Sequence, residues 1–165
     1  GVIALKYNQE DGKLIILNKS DGKASGSCYI INDDKNVLTA NYGSGSISVF
    51  GKNTDGSLTE VKQVVQHTGK GINLKRQDKP HVHMVYFSPD KKYVLANDLG
   101  TDIVSVYKYN SDSEKEILKF NSSVSVSPGG GPRGHCTRTE FAPHPRRFFS
   151  HRCRHGRERT RPCKD

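Results

Sequence analysis

Cys28-Tyr29-Ile30-Ile31-Asn32-Asp33-Asp34-Lys35-Asn36-Val37-Leu38-Thr39-Ala40-Asn41 returns 56 residues later as Met84-Val85-Tyr86-Phe87-Ser88-Pro89-Asp90-Lys91-Lys92-Tyr93-Val94-Leu95-Ala96-Asn97. The two stretches align without a gap. Each is an apolar run, a turn holding Asp-Lys, a second apolar run and Ala-Asn. Each then passes through a Gly-containing loop into a third run, Ile47-Ser48-Val49-Phe50 or Val104-Ser105-Val106-Tyr107, with one residue inserted in that last step. A fixed period decides architecture before any single element does. These runs are short, β-branched and aromatic, and turn residues bound them, so they predict strands. Asp11-Gly12 and Asp55-Gly56 supply tight turns, since Gly accepts a positive φ. Val61-Lys62-Gln63-Val64-Val65-Gln66 is the nearest helical candidate, and it is too short and too β-branched to be one.

Three or four strands per unit make one blade of an all-β propeller. The period exceeds the ~40–50 residues of common blade repeats, and the excess falls in the polar connection from Gln66 to Pro80. Residues 1–17 read as the outer strands of a preceding blade. About two and a half antiparallel blades are therefore present, where a closed propeller needs roughly 4–8. Gly1-Val2-Ile3-Ala4-Leu5-Lys6 has neither an initiator Met nor a leader pattern, and reads as the interior of a longer protein.

Composition divides the 165 residues. The formal charge of +9, with 33% hydrophobic residues, is unevenly spread. Residues 1–132 carry 15 Lys, one Arg (Arg76) and 14 acids. Residues 133–165 carry nine Arg, one Lys and three acids, with three of the four Cys and four of the seven His. We therefore expect a propeller body over 1–133 and a disordered or out-of-frame tail over 134–165. The tail has no C-x-x-C pair and no finger spacing, so it is not read as a zinc or nucleic-acid site. No run of 18 apolar residues exists, so no membrane span and a cytoplasmic location are expected.

Five motifs in order carry a family resemblance: Ala40-Asn41-Tyr42-Gly43-Ser44-Gly45-Ser46, Pro80-His81-Val82-His83, Phe87-Ser88-Pro89-Asp90, Asn97-Asp98-Leu99-Gly100-Thr101-Asp102 and Gly130-Gly131-Pro132-Arg133. Residues 1–133 resemble the seven-bladed propeller lactonases, which include the propeller type of 6-phosphogluconolactonase and the carboxymuconate-lactonising enzymes. The resemblance ends at Arg133, where the family runs Gly-Pro-Arg-His into another blade and this chain has Gly134. It implies hydrolysis of a sugar lactone, 6-phosphogluconolactone in first place, by a parent about twice this length. The alternatives are a carboxymuconate-type lactonising enzyme and a non-catalytic binding propeller.

Lactone hydrolysis needs an activated water and a donor for the developing oxyanion. His81 and His83, two apart in an extended stretch, share one face. An imidazole can take a proton from water near neutral pH, though a His pair at a turn can equally bond loop carbonyls. His-x-His also suits zinc, but no third ligand is evident, so no metal and no cofactor are expected. The Arg133 guanidinium offers a fork for phosphate or carboxylate, and the resemblance implies that it lines the pocket. Asp98 and Asp102 flank a tight loop; such acids orient a His pair, bind sugar hydroxyls or cap backbone amides. Asn41 and Tyr42, in the matching loop of the previous blade, complete the candidate substrate contacts.

Overall fold

The computed structural model of the chain describes residues 1–134. The expectations for the tail from residue 135 onward lie outside the described residues. Ten strands form three antiparallel sheets, with no helix among the described residues. β1 (Val2–Tyr7) and β2 (Leu14–Ser20) form a hairpin. β3 (Ser27–Asn32), β4 (Asn36–Asn41), β5 (Ser46–Lys52) and β6 (Leu58–Gln66) pair in chain order. β7 (Val82–Phe87), β8 (Tyr93–Asp98), β9 (Ile103–Tyr109) and β10 (Leu118–Ser125) repeat that order. Two complete four-stranded blades and an outer hairpin are the expected partial propeller, and Val61–Gln66 is strand.

The blades pack face to face. β3 lies against β7, and β2 against β6. Leu38, Ala40, Ile47 and Val49 of the first complete blade meet Val82, Val85, Val94, Ala96 and Tyr107 of the second. The alternate side chains of the first blade, Val37 and Phe50, turn to Val2 and Ala4 of the hairpin. β4 is therefore buried along its whole length, since both of its faces are covered by other sheets. Leu38 has no exposed surface; truncating such a side chain to Ala costs about 2–5 kcal/mol.

Strand pairing corrects the gapless repeat. Ser27 pairs with Asn41 as Val82 pairs with Asp98, so the offset is 55 in the first strand and 57 in the second. The difference lies in the first hairpin. Asp33 N–H closes on the Asn36 carbonyl, whereas Ser88 N–H closes on Tyr93, two residues further along. The inserted residue is therefore not in the later loop, because the offset of 57 persists from Asn41–Ser46 to Asp98–Ile103. A one-residue slip moves side chains to the opposite face. Asn41 thus corresponds to Asp98, not Asn97, and Cys28 corresponds to His83, not Met84. Cys28 and His83 are each the extra residue at a β-bulge near the start of their strands.

Candidate active site

Residues 79–83 lead into β7 between two equivalent turns, 42–45 after β4 and 99–102 after β8. Pro80 fixes an extended approach. Both turns press on it at positions where a side chain has no room. A Cβ on Gly45 would lie 2.4 Å from the Pro80 carbonyl oxygen, and one on Gly100 would lie 1.9 Å from that of Lys79. Lys79 Nζ donates to the Gly43 carbonyl at 2.8 Å. The Leu99 N–H donates to the His81 carbonyl at 3.0 Å.

The two histidines meet on one aromatic ring and then part in character. Tyr42 stacks on His81 with centroids 4.3 Å apart and planes at 19°. It meets His83 edge-on at 5.9 Å. His81 is buried, its Nδ1 donates to the Tyr42 carbonyl at 2.9 Å, and its Nε2 faces the Asp78 carboxylate at 3.2 Å. Both ring nitrogens are therefore engaged, as in the loop-carbonyl alternative. In contrast, His83 Nδ1 is buried with no hydrogen-bond partner among the described residues. Burial, and then the positive charges of Arg133 and Arg76, hold the His83 ring below its ordinary value, partly opposed by backbone groups of Arg133 and His83 itself. A ring so biased stays neutral near pH 7, the form that accepts a proton.

Asp98 has no exposed surface. Its Oδ1 accepts the backbone N–H of His81 at 2.8 Å and of Gly100 at 2.9 Å. Its Oδ2 accepts from His67 Nδ1 at 2.9 Å, and Tyr107 O–H donates to His67 Nε2 at 2.9 Å. Burial raises the Asp98 carboxyl, but the His67 bond and the two amides outweigh it and leave it below the usual range. This Asp-His-Tyr chain resembles a relay but is closed to substrate, since His67 is 9% exposed and Tyr107 4%. It anchors the His81 backbone from behind. The sequence reading missed His67 and Tyr107; the only signal was a lone His closing a strand.

Asp102 is also buried, and its carboxylate is spent on Gln77 Nε2 and the backbone N–H groups of Gly129 and Gly131. Asn41 is wholly buried and satisfied within its blade by Ser27, Thr39, Ser46 and Ser48. Asn41, Asp98 and Asp102 thus direct their polar atoms inward. Arg133 is exposed at the end of the glycine-rich loop. Gly134, next to it, accepts at its carbonyl from Asn97 Nδ2 at 3.1 Å. The Cys28 thiol lies 3.3 Å from the His83 carbonyl oxygen. The candidate site is the His83 imidazole, with Tyr42 edge-on to it and the Arg133 charge acting on it.

Two cavities lie elsewhere. One of about 280 Å³ is at the opposite end of the strands, by Asp33, Lys91 and Tyr109. One of about 620 Å³ runs along β3 beside Val2 and Ile3. No group of three metal-ligating side chains converges among the described residues. No helix among them is long and apolar enough to cross a membrane.

Residues 1–149 match the family described as Lactonase, 7-bladed beta-propeller. The 6-phosphogluconolactonase of Bacillus subtilis (strain 168) is 41% identical over 135 residues, covering 81% of this chain and 37% of that protein. The 6-phosphogluconolactonase of Formosa agariphila is 30% identical over 135 residues, covering 80% and 38%. Among solved structures, a Bacteroides fragilis NCTC 9343 protein superposes with a TM-score of 0.77 at 36% identity, over 80% of this chain and 39% of its own. The Pseudomonas aeruginosa periplasmic gluconolactonase gives 0.69 at 31% identity, over 79% and 38%. The chain spans under two fifths of the length of these curated relatives.

Proposed function

This chain belongs to the seven-bladed β-propeller lactonase family, and from that premise we propose that the protein it is part of hydrolyses a sugar lactone, 6-phosphogluconolactone to 6-phosphogluconate. The observation that carries the proposal is His83: a neutral-biased imidazole that meets Tyr42 edge-on and feels the Arg133 charge, at the start of a strand that packs on its counterpart in the preceding blade.

The chemistry follows from the groups at hand. His83 removes a proton from water as the oxygen attacks the lactone carbonyl carbon. The tetrahedral oxyanion collapses, the ring C–O bond breaks, and the leaving alkoxide takes a proton, opening the ring to the acid. Arg133 binds the phosphate through its planar fork. Tyr42 supplies a flat wall that fixes the His83 ring edge-on. His81 acts as a structural neighbour, because both of its nitrogens are already used. Asp98 positions the strand start. Nothing in this sequence of steps calls for a metal or redox cofactor. The inferred place of action is the cytoplasm.

The test is ester-bond hydrolysis by the full-length protein, followed as acid release from 6-phosphogluconolactone. Turnover is expected, and His83→Gln should lower kcat by about 10²–10⁴-fold, the usual worth of a general base. Turnover of a carboxymuconolactone instead would move the substrate class. Absence of turnover on every lactone would make the protein a binding propeller.

A further inference from the structure

Asp102 stands at a backbone position that the preceding blade gives to glycine. The turns 42–45 and 99–102 are equivalent at an offset of 57, and their last residues both take left-handed backbone, Gly45 at φ 64° and Asp102 at φ 58°. L residues rarely adopt that conformation, so a side chain kept there calls for a reason. Its contacts supply one. Oδ1 accepts Gln77 Nε2 at 2.7 Å and the Gly131 N–H at 2.8 Å, and Oδ2 accepts the Gly129 N–H at 2.7 Å. The Asp102 carbonyl also accepts the Val126 N–H at 2.8 Å. Gln77 itself is 2% exposed and ties Asp102 to the Leu99 carbonyl.

The clamped segment is built on glycine and one internal turn bond, Gly130 N–H to the Ser127 carbonyl. Gly129 and Gly131 both take positive φ, at 75° and 52°, which only glycine adopts freely. Arg133 follows two residues later. The buried carboxylate thus holds the loop on the near side of Arg133, as Asn97 Nδ2 holds the Gly134 carbonyl on the far side.

We propose that Asp102 is a positioning residue for Arg133, and through it a determinant of selectivity for an anionic over an uncharged lactone. The inference rests on the reading of Arg133 as the anion clamp. Asp98 and Asp102, which flank one turn, then hold the two halves of the site: Asp98 the histidine side, Asp102 the arginine side.

The experiment uses Asp102→Gly and Asp102→Asn in the full-length protein. Asp102→Gly matches the residue at Gly45, so it relieves the backbone while deleting the clamp, and urea unfolding of each variant reads any loss of stability separately. Two readouts are taken: kcat/KM for 6-phosphogluconolactone against gluconolactone, and the rate of tryptic cleavage after Arg133, identified by mass. The selectivity ratio should fall about tenfold or more in Asp102→Gly through KM for the phosphorylated substrate, which is about 1.4 kcal/mol. Cleavage after Arg133 should accelerate, and Asp102→Asn, with one acceptor oxygen left, should fall between. Equal loss on both substrates, or an unchanged cleavage rate, overturns the proposal. If the wild type turns over neither lactone, the lactonase reading fails instead, and the cleavage rates still decide whether the clamp exists.

Discussion

Removing the Asp98 carboxylate tests the anchor behind the histidines. Asp98→Ala strips acceptors from three donors at once: His67 Nδ1, the His81 N–H and the Gly100 N–H, at 2.9, 2.8 and 2.9 Å. All three face a position with no exposed surface. A buried donor left without a partner costs about 1–3 kcal/mol, so the variant should lose about 3–9 kcal/mol. Asp98→Asn keeps an oxygen toward the two amides but surrenders the charge. Charged hydrogen bonds exceed neutral ones by about 1 kcal/mol each, so its loss should be about 1–3 kcal/mol. Urea unfolding of the full-length protein with linear extrapolation reads both losses. A pH series adds a sign. The folded carboxyl is held below its ordinary value, so its contribution is complete above about pH 4, the unfolded value. It disappears as pH falls through the lower folded value, and the gap between wild type and Asp98→Asn should close over that range. A loss under about 1 kcal/mol for Asp98→Ala, or a gap that does not change with pH, would refute the anchor.

Two further outcomes follow from the same geometry. Gly100→Ala must move backbone rather than a side chain, because its Cβ would meet the Lys79 carbonyl oxygen at 1.9 Å and the His81 nitrogen at 2.7 Å. It should destabilise by about 1–3 kcal/mol from overpacking alone and lower kcat as the lead-in shifts; an unchanged urea midpoint counts against the close approach. The acid limb of the pH–rate profile should lie below the ordinary histidine value of about 6.5, since burial and Arg133 depress His83. Arg133→Gln should move that limb upward, and a limb that stays in place would remove the Arg133 charge from the explanation.

The blades were legible in the sequence because turn chemistry and short β-branched runs recur there at a near-constant spacing. Their register was not. Offsets of 55 and 57 average to 56, so a gapless match passes between them one residue off in each strand. Periodicity could not expose the slip, since β4 is buried on both faces and alternation has no polar side to show. The site was half legible. Two-residue spacing does bring His81 and His83 to one ring, Tyr42. Their difference depends on the Tyr42 carbonyl and Asp78 meeting one and not the other. His67 lies 31 residues from Asp98 and 40 from Tyr107, and no local pattern reports such a chain. Asn41, Asp98 and Asp102 sit in motif loops, but only the folded turn shows their oxygens occupied from within.

The pairing of each turn with the lead-in of the next blade gives the chain a direction. The 42–45 turn precedes Pro80 and His81 in the chain, and the 99–102 turn precedes Gly129 and Gly131, so each turn can close first during synthesis. Each blade can thus present a finished dock, glycine in one case and a carboxylate in the next, to a segment not yet synthesised. Contacts of this kind span roughly 30–40 residues at most, which keeps loop-closure entropy modest. Assembly can therefore proceed blade by blade in the order of translation, with no wait for the distant end of the ring.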